Sequence, residues 1–334
     1  MATIGNKFVG LIDIYKRSDA TRNITPIIEA LHTLNPLMRD ANVIEANQGT
    51  SHLSTIRTGL PAVTWGKLYQ GIPHSKSETA QVIDSTGFVE ALSFVDNRLL
   101  KIAKNPAAIR MSEAQGHLES ISQEVQRQFF YSDTKTTPEQ FLGVGARYNT
   151  LSNNQVVNGG GTGSDNTSVW FVTFGDRQTS LIYPEGTHAG VTREDKGDQR
   201  TEDDQGLAYY GKEEYFCQHV GVTVGDHRFN ARIANIDVSD LRAGNVDLYG
   251  LFRKAYYRLQ GRRLGGIQNG GVVNQGRTVI YANREILEAL DTQATNDDKI
   301  QLGPDEIEGA EVMKYRGMPI REVDALINAE SLVA

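Results

Sequence analysis

Residues Ser51 to Val95 place the strongest constraint on how this chain can fold. They read as two long extended segments joined by a bend, punctuated by Gly59-Leu60-Pro61 at one end and Gly71-Ile72-Pro73 at the other. The returning segment, Thr79 to Val95, carries Val82, Ile83, Phe88, Val89, Leu92, Phe94 and Val95. A two-stranded ribbon is marginal in water unless something packs on it. A helix is expected soon afterwards, but not one that covers the hairpin. The expected cover is therefore a partner, which points to assembly before it points to catalysis.

The 334 residues, 39% hydrophobic and 22% charged, suffice for one large or two ordinary domains with a real core. No apolar run approaches the ~18 residues of a membrane span, so no membrane partner is expected. The opening stretch MATIGNKFVGLIDIYKRSD lacks the apolar core and small-residue cleavage site of a signal peptide. Synthesis in the cytosol is expected. The single Cys217 rules out an internal disulfide. Stability must come from packing or from neighbouring subunits. The formal net charge of −7 does not suit a protein that grips DNA over its whole surface. It is compatible with an acidic container around nucleic acid.

Along the chain, Thr25 and Pro26 can open a short helix whose Ile28, Leu31, Leu34 and Met38 share a face, with Asn35-Pro36 ending or kinking it. The strongest helical pattern runs from Ala107 to Tyr131, capped by Asn105 with Pro106 in its first position. Its apolar face is Met111, Ala114, Leu118, Ile121, Val125 and Phe129, and Glu113, His117, Ser120, Glu124 and Gln128 lie opposite. At ~1.5 Å per residue it spans about 37 Å, suited to be the spine of a domain.

Asn153 to Asn166 reads as a flexible loop and a boundary. Strands are expected at Ser168–Phe174, Thr179–Tyr183, Ala208–Cys217, Val220–Val224 and His227–Ile236, with Thr192–Gly206 as an exposed polar loop. A second long helix is expected over Val246–Leu264, followed by a loop, Gly265–Gly276. Then come a strand at Thr278–Tyr281, a helix at Arg284–Leu290 capped by Asn283, and strands at Glu311–Tyr315 and Ile320–Val323 around the turn Arg316-Gly317-Met318-Pro319.

The residues offer little chemistry. Gly159-Gly160-Gly161-Thr162-Gly163 lacks the Lys-Ser/Thr ending of a phosphate loop and opens no good helix, so it reads as a flexible loop. The seven histidines are scattered, and Cys217 with His219 is too little for a zinc site. Asp195-Lys196-Gly197-Asp198 and Glu202-Asp203-Asp204 lack the spacing of a calcium loop and read as solvated acidic segments. No serine-centred elbow or Cys–His pairing can be proposed. No catalytic residue, cofactor site or metal site is therefore expected.

Two features have interaction value. Arg253, Lys254, Arg258, Arg262 and Arg263 form a basic stripe on the second helix. It reads either as a solvated face, or as a surface that meets the acidic segment Asp195–Asp204 of a neighbouring subunit, or as a nucleic-acid contact. Trp65, with Leu68 and Tyr69, sits at the bend of the hairpin, where a large aromatic makes a good interface anchor.

The order of these parts resembles the major capsid proteins of tailed bacteriophages with the Hong Kong ninety-seven type fold, in particular the gp-seven-like subfamily of short-tailed phages. The resemblance is carried by the helix at Pro26–Met38, the stretch TIRTGLPAVTWGKLYQGIPHSKSETAQV (Thr55–Val82), the spine helix, ARIANIDVSDL (Ala231–Leu241), TVIYANREILEAL (Thr278–Leu290) and EVMKYRGMPIREVDAL (Glu311–Leu326). It covers nearly the whole chain.

The resemblance implies an α+β capsid fold with an N-terminal arm over residues 1–49 and an extended loop over 50–95. A peripheral domain with the spine helix would take 96–150 and 277–334, and an axial domain 151–276. The implied function is structural: subunits form pentamers and hexamers that tile an icosahedral shell around double-stranded DNA, without sequence-specific binding. The implied partners are further copies of the chain, a separate scaffolding protein, a portal protein and a cement or decoration protein. The implied location is the virion, after synthesis in the host cytoplasm. The short stretch before the first helix favours scaffolding supplied in trans. Lys67, Lys76 and Asn283 lack the context of a lysine–asparagine crosslink, so none is expected. An encapsulin-type nanocompartment shell and an ordinary α+β enzyme are the alternatives.

Overall fold

The computed structural model describes residues 35–203, 205–260, 267–268, 271–272, 276–296, 302–307 and 310–334. The expected helix at Pro26–Met38 lies mostly outside them. Within them Pro36 initiates the single helical turn α1 (Leu37–Asp40). Then come β1 (Val43–Glu45), β2 (Ser51–Gly59) and β3 (Glu78–Asp96), followed by α2 (Asn97–Ile102), α3 (Pro106–Tyr131) and α4 (Val144–Arg147). Strands β4 (Val156–Asn158), β5 (Asn166–Phe174), β6 (Thr179–Tyr183), β7 (Val191–Glu202), β8 (Ala208–Val224) and β9 (Ala231–Asp237) follow. Next are helices α5 (Val238–Arg242) and α6 (Leu248–Arg258), the short β10 (Ile267–Gln268) and β11 (Gly271–Val272), β12 (Arg277–Ala282) and α7 (Arg284–Asn296). The chain continues with β13 (Leu302–Ile307), β14 (Ala310–Tyr315) and β15 (Met318–Glu322). The mixture of sheet and helix is the expected α+β class.

The described chain forms two compact units: Phe88–Gln126 with His188–His219, and Leu34–Gly87 with Arg127–Thr187 and Val220–Ala334. Strand β3, helix α3 and strand β8 each contribute residues to both. These units do not follow the boundaries expected at 150 and 276. Strand β12 pairs with β5, so the C-terminal strands join residues 151–187 in one unit.

In the larger unit β5 is buried along its whole length, as a strand covered on both faces must be. It pairs antiparallel with β12 and β9; β12 runs parallel to β15, and β15 antiparallel to β14. The alternation of side chains then sorts the core. Val169 and Phe171 face a cluster with Ile233, Ile280, Leu251, Phe252, Ala255, Ile286 and Leu290, packed under α6 and α7. Trp170 and Phe174 belong to an aromatic group, with Phe130 centred 6.1 Å from Trp170 and 5.8 Å from Tyr281, and Phe129 6.4 Å from Phe174. Gly145 permits the approach of α4 to this layer, because an added Cβ would lie 2.2 Å from the Phe130 carbonyl oxygen.

The smaller unit holds the first part of α3 and the hairpin of β7 and β8. Asn105 caps α3 as expected, accepting from the Ala108 amide at 3.2 Å. Ala114, Ile121 and Val125 are buried, but Met111 and Leu118 are exposed. His117, expected on the outer face, stacks on Phe216 of β8 with ring centres 5.7 Å apart. The hairpin packs on that side of the helix and turns the expected apolar face partly outward.

Three expectations require correction. Thr192–Gly206 is not a loop: residues through Glu202 form strand β7, paired with β8 from Val191↔Gln218 to Glu202↔Ala208. Main-chain bonds hold it although both faces are polar. The two strands expected at Ala208–Cys217 and Val220–Val224 are one continuous strand. The helix expected to reach Leu264 ends at Arg258, because Leu259 turns extended, buries its side chain and is followed by a bond from the Gln260 amide to the Arg228 carbonyl at 2.9 Å.

Candidate assembly surfaces

The hairpin of β2 and β3 is fixed at its base and bare at its tip. Its register runs from Ser51↔Ser85 to Arg57↔Thr79, with an irregularity before Gly59. At the base, Asn47 receives the Leu53 amide at 2.7 Å and donates to the Leu53 carbonyl at 2.9 Å. The Thr86 amide and hydroxyl both reach the Thr50 carbonyl, at 3.0 and 2.9 Å. Asp84, 2% exposed in its side chain, pairs with Arg147 at 2.8 Å, and Arg147 also donates to the Val222 carbonyl at 3.0 Å. Gly221 lets β8 press against this base, since a Cβ there would meet the Ser85 carbonyl oxygen at 2.8 Å.

Beyond Gly59 the two arms separate, bridged by a bond from the Ser75 hydroxyl to the Ala62 carbonyl at 2.8 Å. The tip turns at Lys67–Gln70, with Tyr69 in the left-handed region at φ 63. Trp65 is 95% exposed, Leu68 is 90% exposed and Tyr69 is fully exposed; Leu60, Val63 and Ile72 are exposed with them. These three predicted contact residues are therefore brought together on one projecting segment. Among the described residues nothing covers this apolar cluster, which is the kind of exposed patch that interaction surfaces use.

The basic stripe is only partly an open surface. Arg253 and Lys254 are exposed on α6, whereas Arg258 donates through Nη1 to the Val156 carbonyl. Arg262 lies outside the described residues. The expected acidic counterpart is occupied within its own chain. Asp195 receives Arg110 at 2.7 Å and Asp198 receives Lys212 at 3.2 Å and Asn97 at 3.0 Å. Hydrogen bonding from Arg110 holds the Asp195 carboxyl below the usual carboxylate range, and bonding from Asn97 and Lys212 does the same for Asp198.

One residue escaped the sequence reading. Arg316, at φ 50 beside Gly317 at φ 81, forms the tight turn between β14 and β15. Its guanidinium lies 4.7 Å from the ring centre of Tyr256, 5.5 Å from Tyr257 and 5.6 Å from Tyr315. The local signal was present as Tyr-Arg-Gly, but only the fold brings in the two tyrosines of α6.

Among the described residues no group of three or more His, Cys, Asp or Glu side chains could hold a metal ion. No described helix is long and apolar enough to cross a membrane.

Comparison with known proteins bears on these surfaces. The family described as major capsid protein GP7 matches residues 19–334. No match is found among curated proteins. Among solved structures, the chain is similar to one from bacteriophage Epsilon15, with 34% identity, 100% of this chain and 99% of that chain covered, and a TM-score of 0.77. A holo-SrpI encapsulin complex from Synechococcus elongatus shares 10% identity over 68% of this chain and 96% of that chain, with a TM-score of 0.47. The capsid of a native GTA particle shares 9% identity over 64% and 92%, with a TM-score of 0.43. The resemblance to the Hong Kong ninety-seven type capsids thus holds for the chain as a whole. With one family matching nearly the whole chain, the conclusion is direct: this chain belongs to the major capsid protein GP7 family of the tailed phages and is a structural component of an icosahedral shell.

Proposed function

We propose that this capsid protein builds its shell from pentamers and hexamers in which the arm of residues 59–78 lies over an adjacent subunit. The observation that carries this reading is the exposure of Trp65, Leu68 and Tyr69 together on a segment whose base is fixed by Asp84 and Arg147. Head-to-tail contacts close into rings when the rotation allows. Linked contacts hold each subunit at high effective concentration, so each contact can be modest.

On this reading residues 96–150 and 277–334, with the spine helix, are peripheral in the capsomer, and residues 151–276 are axial. The shell encloses double-stranded DNA without sequence-specific binding, which the net charge of −7 supports. The further partners are a separate scaffolding protein, a portal protein and a cement protein, and synthesis takes place in the host cytoplasm. Membership in a capsid family favours this over a nanocompartment shell or an enzyme. Deletion of Gly59–Ile72 tests it. Electron micrographs should show folded subunits or small oligomers in place of shells, and normal shells would overturn the reading.

A further inference from the structure

Helix α6 separates two surfaces of opposite charge. On one flank stands Arg316, exposed and lying over the rings of Tyr256, Tyr257 and Tyr315. Arg253 is exposed on the same flank, three and four residues before Tyr256 and Tyr257 on α6. Among the described residues no carboxylate pairs with either arginine. A guanidinium already held against aromatic faces loses little further freedom when its fork meets a carboxylate.

On the other flank is a cleft of about 380 Å³, lined by Asp237, Asp240, Asp247, Lys254 and the backbone of Gly159 to Gly161. Asp237 and Asp247 each accept one amide, from Asp240 at 3.0 Å and Gly250 at 2.8 Å, through a single carboxylate oxygen. Three carboxylates face one ammonium, so the cleft is net acidic. At 3.6 residues per turn, Gly250 and Lys254 lie roughly a third of a turn from Arg253 and Tyr256. The two surfaces therefore point in different directions, as the two sides of a head-to-tail ring contact must.

We propose that the occupant of this cleft is a second copy of the chain, which inserts Arg316 and Arg253 from the basic flank of its own α6. The inference rests on the shell reading above and adds to it the charged contact within a ring. The same chain carries both halves, and among the described residues of one subunit the arginines meet no carboxylate while the cleft has one ammonium for three carboxylates. The contact needs neither the Asp195–Asp204 segment, whose Asp195 and Asp198 are already paired, nor the exposed arm.

The test is assembly of purified protein over a range of concentration and salt, followed by sedimentation velocity. Arg253→Glu with Arg316→Glu should raise the concentration needed for assembly by about tenfold or more. Adding Asp240→Lys in the same chain should recover part of that loss, because the contact becomes Glu against Lys. Lys254→Glu should act in the opposite direction and lower the required concentration at low salt. If the double reversal fails a thermal unfolding control, the single exposed change at Lys254 carries the test. Wild-type shells with assembly unmoved by these changes would overturn the inference. So would unchanged assembly with weaker retention of double-stranded DNA, which would assign the arginines to nucleic acid. A wild-type protein that formed no rings or shells would instead count against the shell reading.

Discussion

Arg232 and Glu330 form an ion pair 2.8 Å apart whose side chains are only 7% and 4% exposed. The carboxylate also receives the Tyr131 hydroxyl at 2.6 Å and the Ser168 hydroxyl. The guanidinium lies 4.8 Å from the Trp170 ring centre and donates to the Tyr148 carbonyl at 3.0 Å. Residues far apart in sequence thus converge on one buried charge, and the segment around Glu330 is tied to β5 and β9.

Removing one partner of such a pair leaves an uncompensated buried charge. Glu330→Ala should therefore cost about 3–5 kcal/mol of unfolding free energy. Chemical denaturation of the unassembled subunit measures it, and a loss below about 1 kcal/mol would show that the pair is not what anchors this segment.

The arm should behave in the opposite way. Trp65→Ala, Leu68→Ala and Tyr69→Ala together remove side chains that touch little in their own subunit, so subunit stability should stay within about 0.5 kcal/mol. Each of them, once covered by a neighbour, would contribute about 1.5–3 kcal/mol to the shell. The triple variant should melt like the wild type yet fail to assemble. Normal assembly would place the contact elsewhere.

The contrast between these two sites explains what the sequence made legible. The arm was readable because Pro61 and Pro73 punctuate it and the apolar residues beyond them have no local partner. Helix α3 was readable from Asn105-Pro106 and its spacing. The Arg232–Glu330 pair was not, because nothing local distinguishes those residues from surface charges; only the pairing of β5 with β9 and the bridge of Glu330 to Asn166 on β5 bring them together. Strand β7 was missed for a related reason. Both of its faces are charged or polar, as in Arg193-Glu194-Asp195-Lys196, and no apolar period announces a strand. The pairing of β12 with β5 across the expected boundary at 276 was not legible either, because strand order is set by long-range pairing, which sequence spacing does not reveal.

The smaller unit should lose order in acid. Asp195 is held below the usual carboxylate range chiefly by its bond to Arg110, and Asp198 by Asn97 and Lys212. A carboxylate depressed in the folded state stabilises it fully above the unfolded value, about 3.9, and loses that contribution as pH falls through the folded value. Hydrogen-exchange protection in β7 and β8, measured relative to the intrinsic rate at each pH, should therefore fall below about pH 4. Asp195→Asn should remove part of that change, and because the pair is exposed, added salt should blunt it. Protection relative to the intrinsic rate that stayed constant from neutral pH down through that range would count against these bonds.

Gly145 supplies a steric prediction. A Cβ at this position would sit 2.2 Å from the Phe130 carbonyl oxygen, which is backbone and cannot swing aside. Gly145→Ala must therefore push α4 away from the end of α3, where Phe130 packs on Trp170 and Tyr281. Arg147 is on the same short helix and holds Asp84 at the base of the arm. The substitution should cost about 1–3 kcal/mol, as overpacking a tight contact does, and it should also loosen the arm base. Limited proteolysis would then cut within residues 59–78 and progress toward Ser85, whereas the wild type should be cut at the tip alone. Gly116→Ala, with nothing within 4 Å of the new Cβ, is the control and should change neither stability nor cleavage adversely. If both variants behaved alike, the Phe130 contact would not be what positions α4.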